Sequence, residues 1–166
     1  MRLRADRLER GLTGLVVRPI APADAGEVLT VQRAAFVQEA QLYDDARIAP
    51  LVQTLDELRA ELADNLGVVA VRGDRIVGAA RAIVSGSTLL IGRIAVAPDE
   101  QGEGAGGALL EALERRGRDA GCAEAELFTG SLSTANLELY RSAGYVESER
   151  VDQDDGTAQV FLRKHL

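Results

Sequence analysis

Residues 96 to 107, Val96-Ala97-Pro98-Asp99-Glu100-Gln101-Gly102-Glu103-Gly104-Ala105-Gly106-Gly107, set glycines between an apolar run and a helix-forming stretch. A helix N-terminus leaves backbone N–H groups unpaired, its dipole favours anions, and residues without a Cβ let an anion approach the main chain. The chemistry on offer is the cradling of a diphosphate. Gly102, Gly104 and Gly107 also satisfy G-x-G-x-x-G, with Glu124 or Glu126 as a ribose-binding acid. That dinucleotide reading fails, because Pro98-Asp99-Glu100-Gln101 separates the strand from the first glycine and both glutamates open the next apolar run rather than close it. A P-loop needs a Lys-Ser/Thr pair after the glycines, and none follows.

A second constellation follows: Ser131-Leu132-Ser133-Thr134-Ala135-Asn136-Leu137-Glu138-Leu139-Tyr140-Arg141-Ser142-Ala143-Gly144-Tyr145. A Ser or Thr here can cap a short helix and Gly144 can end it, which places Asn136 and Tyr140 on one helical face where both can reach one ligand. With these residues in view, Gln101-x-x-Gly104-x-Gly106 resembles the acetyl-CoA pyrophosphate loop of the GNAT acetyltransferase superfamily. The later segment resembles that superfamily's Asn…Leu-Tyr-x-x-x-Gly-aromatic signature. The resemblance spans residues 15 to 163.

This resemblance implies an α/β fold. Its mixed, mostly antiparallel central sheet has about six to seven strands, with about four flanking helices. The fourth and fifth strands splay apart near Val96 and Phe128, so that the pantetheine arm of acetyl-CoA lies between them. By the same resemblance, main-chain groups of Ile94, Ala95 and Val96 pair with the pantetheine like an added strand, and the amides of Gln101, Gly102, Glu103, Gly104, Ala105, Gly106 and Gly107 hold the diphosphate. Either Ser133 or Asn136 contacts the pantetheine. An amine then attacks the thioester directly in a ternary complex, with an N–H from Val96 facing the oxyanion and Tyr140 protonating the leaving thiolate. Where family members often carry a glutamate this chain has Gly92 or Arg93, so the proton is expected to leave toward Glu39 first, or toward Asp44 or Asp45. The competing reading is a catalytically silent domain that binds acyl-CoA for regulation or interaction.

The acids of Gln38-Glu39-Ala40-Gln41-Leu42-Tyr43-Asp44-Asp45 can attract a cationic amine, or can be plain solvated loop charges. A small primary amine is the favoured acceptor, with antibiotics, polyamines, lysine side chains and protein N-termini left open. The chain has 166 residues, 46% hydrophobic and 27% charged. These figures suit one domain over residues 15–166, preceded by a polar extension over 1–14 that carries Arg2, Arg4, Arg7 and Arg10. A single Cys122 and no long apolar run near Met1 lead to the expectation of a cytoplasmic protein without a membrane partner. The net charge of −7 and the few aromatics argue against nucleic acid, and His165 is the lone histidine, so no metal site is expected. A homodimer is compatible with all of this.

To position these residues, the pattern predicts a strand over 15–20 and a helix from Pro22 to about Glu39, with Val28, Leu29, Gln32, Ala35 and Phe36 on one side. A loop then runs through Pro50. The Thr54-x-x-Glu57 capping box opens a second helix with Leu55, Leu58 and Leu62 inward. Residues 68–71 and 76–84 read as a hairpin, 89–96 as a largely buried strand, and 105–121 as the helix after the glycines. A strand over 125–129 precedes the signature helix, and 145–151 pairs with 159–163.

Overall fold

The computed structural model describes residues 14–166, so the extension expected before Leu15 lies outside the described residues except for Gly14. The strands are β1 (Leu15–Pro19), β2 (Leu66–Arg72), β3 (Arg75–Ser85), β4 (Thr88–Val96), β5 (Glu124–Gly130), β6 (Val146–Asp152) and β7 (Ala158–His165). The α-helices are α1 (Ala25–Leu42), α2 (Ala49–Val52), α3 (Leu55–Asp64), α4 (Ala105–Asp119) and α5 (Thr134–Ser142). All seven strands form one sheet in the order β1-β2-β3-β4-β5-β7-β6, and every neighbouring pair is antiparallel except β4 with β5.

Alternation along the strands divides the core in two. Val68 and Ala70 of β2 join Leu109, Leu110 and Leu113 of α4, while Val69 between them joins Val28 and Leu29 of α1 and Leu58 of α3. Each fully buried leucine of α4 contributes about 1.5–3 kcal/mol relative to an exposed one. Tyr140, Tyr145 and Leu137 lie in the cluster with α4.

The β4–β5 ladder is short. Thr88, Leu89 and Leu90 pair with Glu124, Ala125 and Glu126, and the register then stops, so residues 91–96 and 127–130 have no partner across that seam. A parting of the fourth and fifth strands is what the sequence leads one to expect, and this ladder is consistent with it. On the other side of β4 the register with β3 shifts: Ala79 faces Ala95 and Arg81 faces Gly92, leaving Arg93 and Ile94 opposite Ala80. This is a β-bulge, and Arg93 adopts φ +54° within it.

Several boundaries differ from the sequence reading. The first helix is preceded by a 3-10 turn over Pro22–Asp24, where the Asp24 carboxylate accepts from the Ala21 amide at 2.7 Å and from Arg18. The helix then continues beyond Glu39 to Leu42, because nothing breaks it until Asp44 turns left-handed at φ +49°. The loop before Thr54 contains the extra helix α2. Strand β4 alternates rather than being largely buried, with Leu90 and Gly92 exposed. Thr54 caps α3 as expected, its hydroxyl accepting from the Glu57 amide at 3.2 Å.

Candidate functional site

Two regions meet at the open end of the β4–β5 seam. The first is the glycine loop. After β4 ends, Pro98–Glu100 make a 3-10 turn and Gly104 takes φ +91° as the N-cap of α4, a left-handed conformation that a side chain would strain. Ala108 N–H bonds back to Gly104 O at 3.1 Å, so the amides of Ala105, Gly106 and Gly107 form the free first turn. Arg75 pairs with Asp99 at 2.7 Å and Arg72 with Glu100 at 3.2 Å, which offsets the loop's acids. Gln101 Nε2 donates to Val96 O at 3.2 Å and ties the loop to the strand end.

The glycines are not equivalent. A Cβ at Gly107 meets nothing within 4 Å, whereas one at Gly106 would lie 3.0 Å from Leu139 of α5. Close packing of α4 on α5 therefore explains Gly106 as well as any ligand does. At the strand end, Ala97 N–H donates to Val77 O at 2.8 Å, so by strand alternation the Val96 N–H faces away from β3, toward the unpaired side of β4.

The second region surrounds Glu39, near the C-terminal end of α1. Its carboxylate accepts from Ser133 Oγ at 2.7 Å and from Asn136 Nδ2 at 3.3 Å. Asn136 also donates to Thr129 Oγ1 at 3.3 Å. Because Ser133 gives its proton to Glu39, the Tyr43 hydroxyl donates to Ser133 across 2.8 Å while accepting from the Leu132 amide at 3.0 Å. The expected Ser/Thr cap is therefore replaced. Ser133 is the N-cap of α5 but makes no side-chain cap bond: its hydroxyl is turned to Glu39, and its oxygen accepts from Tyr43 instead of from a helix amide.

Tyr140 lies one turn beyond Asn136 and is 6% exposed. Burial first, and the Glu39 carboxylate second, push its hydroxyl well above the usual tyrosine range, so it is protonated at neutral pH. Its ring meets Tyr145 edge-on with centroids 6.3 Å apart. By contrast, Asp44 and Asp45 are exposed, and Asp45 accepts from the Arg47 amide at 2.9 Å in a local turn. Of the three acids predicted for the acceptor loop, only Glu39 reaches Ser133 and Asn136.

A strand and a helix separated by a glycine turn, with the helix N-terminus beside an open parallel seam, match a known family. The model of the acetyltransferase (GNAT) family matches residues 34–145. The chain belongs to the GNAT acetyltransferase family. A search of the curated proteins finds no match. Among solved structures, this GNAT chain is similar to PaiA N-acetyltransferase from Thermoplasma acidophilum in complex with coenzyme A, at TM-score 0.80 and 17% identity, covering 92% of this chain and 99% of that one. It also resembles yncA from Salmonella typhimurium with its cofactor acetyl-CoA, at TM-score 0.76 and 18% identity, covering 92% and 94%. The ribosomal-protein-alanine N-acetyltransferase from Brucella melitensis gives TM-score 0.74 and 21% identity, covering 91% and 99%.

Sequence reasoning missed two features of this GNAT site. Tyr43 is one: a Cβ at Gly130 would collide with its ring and hydroxyl, so the glycine at the end of β5 makes room for it. Gly130 directly after Thr129 is the only signal in the sequence, and it is indistinguishable from a turn glycine. The other is the polar cluster under α1. Arg81, 4% exposed, binds Glu61 at 2.7 Å, Gln32 at 3.0 Å and Gln53 at 3.3 Å. Among the described residues no helix is long and apolar enough to cross a membrane.

Proposed function

We propose that residues 15–166 form an acetyl-CoA-dependent N-acetyltransferase that passes the acetyl group directly to a primary amine, a small-molecule amine being favoured. The observation that carries this reading is the juxtaposition at the β4–β5 seam. The ladder ends at Leu90 and Glu126. Beyond it, the free amides of Ala105, Gly106 and Gly107 serve the diphosphate, with Gln101, Gly102, Glu103 and Gly104 completing the loop. The unpaired edge of Ile94, Ala95 and Val96 accepts the pantetheine amides as a strand would.

In this reading the amine nitrogen attacks the thioester carbon, the N–C bond forms and the C–S bond breaks. The Val96 N–H stabilises the developing oxyanion, and Tyr140, protonated throughout the neutral range, donates to the leaving sulfur. Glu39 takes the ammonium proton, directly or through water. It keeps capacity for this because two hydrogen bonds leave part of its four lone-pair sites free. Asn136, held by Glu39 and Thr129, faces the same ligand as Tyr140.

The test is an amine panel with acetyl-CoA, following free thiol release and acetylated product together. Thiol release that depends on an amine is the expected result. Tight acetyl-CoA binding with no transfer to any amine would replace this reading by that of a silent acyl-CoA-binding domain.

A further inference from the structure

A guanidinium without a counter-ion sits on the β4 side of the seam. Arg93 is half-buried in the bulge of β4, and its Nε is shielded from solvent with no hydrogen-bond partner. No ion pair or hydrogen bond of its side chain occurs with any described residue. Its neighbour Arg81 has already taken the local anion, Glu61, and the amide oxygens of Gln32 and Gln53. Arg81 pairs with Gly92, the residue before Arg93, so the two arginines are neighbours across β3 and β4; burial, opposed by Glu61 and reinforced by Arg93, holds Arg81 below the ordinary arginine range. One positive charge in this pair is therefore uncompensated. A shielded guanidinium N–H with no acceptor is costly to the fold, so the arrangement makes physical sense when a ligand supplies the anion.

Its position relative to the acyl-transfer site follows from the register and from α1. Extending the parallel pairing of Leu90 with Glu126 brings Arg93 and Ile94 level with Thr129 on the opposite bank of the seam. Helix α1 spans the two banks. Gln32 binds Arg81 on one side, and about 10 Å further along the helix Glu39 binds Ser133 and Asn136 on the other. A ligand in the seam thus meets a free cation at Arg93 and a carboxylate at Glu39. The diphosphate loop does not claim Arg93, since it begins only after β4 has run on to Val96 and turned through Pro98–Glu100.

We propose that Arg93 is an acceptor-recognition residue and that the amine acceptor carries a carboxylate, with its amino end toward Glu39 and its carboxylate on the Arg93 fork. A guanidinium binds a carboxylate through two parallel N–H bonds, and a single unpaired positive charge matches a monoanion better than a phosphate dianion. This inference rests on the acetyl-transfer reading above and narrows it to amino-acid-type acceptors.

The test measures binding separately from turnover. The full chain, saturated with coenzyme A, is titrated calorimetrically with N-acetyl-L-alanine, N-acetyl-L-leucine and N-acetyl-L-phenylalanine, each against its carboxamide. At least one acid should bind about 10- to 100-fold more tightly than its amide, the range expected for a charge-assisted pair. Arg93→Asn, a residue that tolerates positive φ, should abolish that preference, and Arg93→Lys should retain part of it, with acetyl-CoA affinity unchanged in both. Equal binding of acids and amides, no binding by any acid, or a preference that survives in Arg93→Asn overturns the proposal. So does a loss of acetyl-CoA affinity in Arg93→Asn, which would assign the cation to the cofactor. Acid-selective binding without thiol release from any amine would instead sink the transferase reading and leave the anion site standing.

Discussion

Replacing Tyr140 by Phe removes one hydroxyl and leaves the ring in place, which makes it the sharpest probe of the proposed acid. Among the described residues nothing hydrogen-bonds that hydroxyl, and the ring's contact with Tyr145 survives the change. Stability should therefore move by less than about 1 kcal/mol. The rate effect follows from acidity. A thiol titrates near about 8.5 and an ordinary tyrosine near about 10. Burial and Glu39 lift this tyrosine further, so complete proton transfer to the thiolate is uphill and the hydroxyl acts mainly by donating a hydrogen bond as charge develops. A fall in kcat of about 10- to 100-fold is expected, toward the lower end of the range for general acids, with acetyl-CoA Kd near native. Because the group stays protonated from pH 6 to 9, the ratio of native to variant rates should be flat across that range. Thiol release under acceptor saturation gives the ratio, and calorimetry gives Kd. Native turnover in Tyr140→Phe, or a rate loss that simply follows weakened acetyl-CoA binding, would refute the assignment.

Gly107→Glu adds bulk and negative charge where a Cβ has open space, so acetyl-CoA should bind at least about tenfold more weakly with thermal stability unchanged. Gly106→Glu should lower both, because its side chain meets Leu139; equal affinity in the Gly107 variant would remove the diphosphate from this helix end. Glu39→Gln should lower kcat by about 100-fold and erase the acidic limb of the pH–rate profile, while an intact limb would leave Glu39 a positioning residue for α5 through Ser133 and Asn136. Stability toward urea should fall as pH rises above about 10. Tyr140 and Tyr145 both keep their protons in the folded protein beyond the unfolded value, each contributing a slope of about 1.4 kcal/mol per pH unit. Tyr140→Phe should halve that slope, and a flat profile between pH 9 and 11 would contradict the two raised values.

Local chemistry made much of this protein legible from its residues. Thr54 and Glu57 announce the start of α3 because the bond between them spans a single turn. The glycines around Gly104 announce a helix N-terminus, and the structure adds that Gly104 caps it in a left-handed conformation few other residues tolerate. Leu109 and Leu113 show which face of α4 is buried, since helical periodicity needs no partner to be read, whereas the burial of Leu110 beside them came from the fold. What only the tertiary structure decided lies at long range. Glu39 and Ser133 meet across 94 residues of sequence, and that contact, rather than helix capping, fixes the direction of the Ser133 hydroxyl. Asp44 and Asp45 follow Glu39 closely in sequence and share its charge, yet the end of α1 turns them into solvent. The bulge that seats Arg93 arises from the mismatch between β3 and β4, and its unpaired charge is visible only once Arg81 is seen to hold Glu61, Gln32 and Gln53. Periodicity and turn chemistry act over a few residues and can be read along the chain, whereas a hydrogen-bond partner or a missing counter-ion is a property of neighbours in space, which the sequence reaches only through the fold.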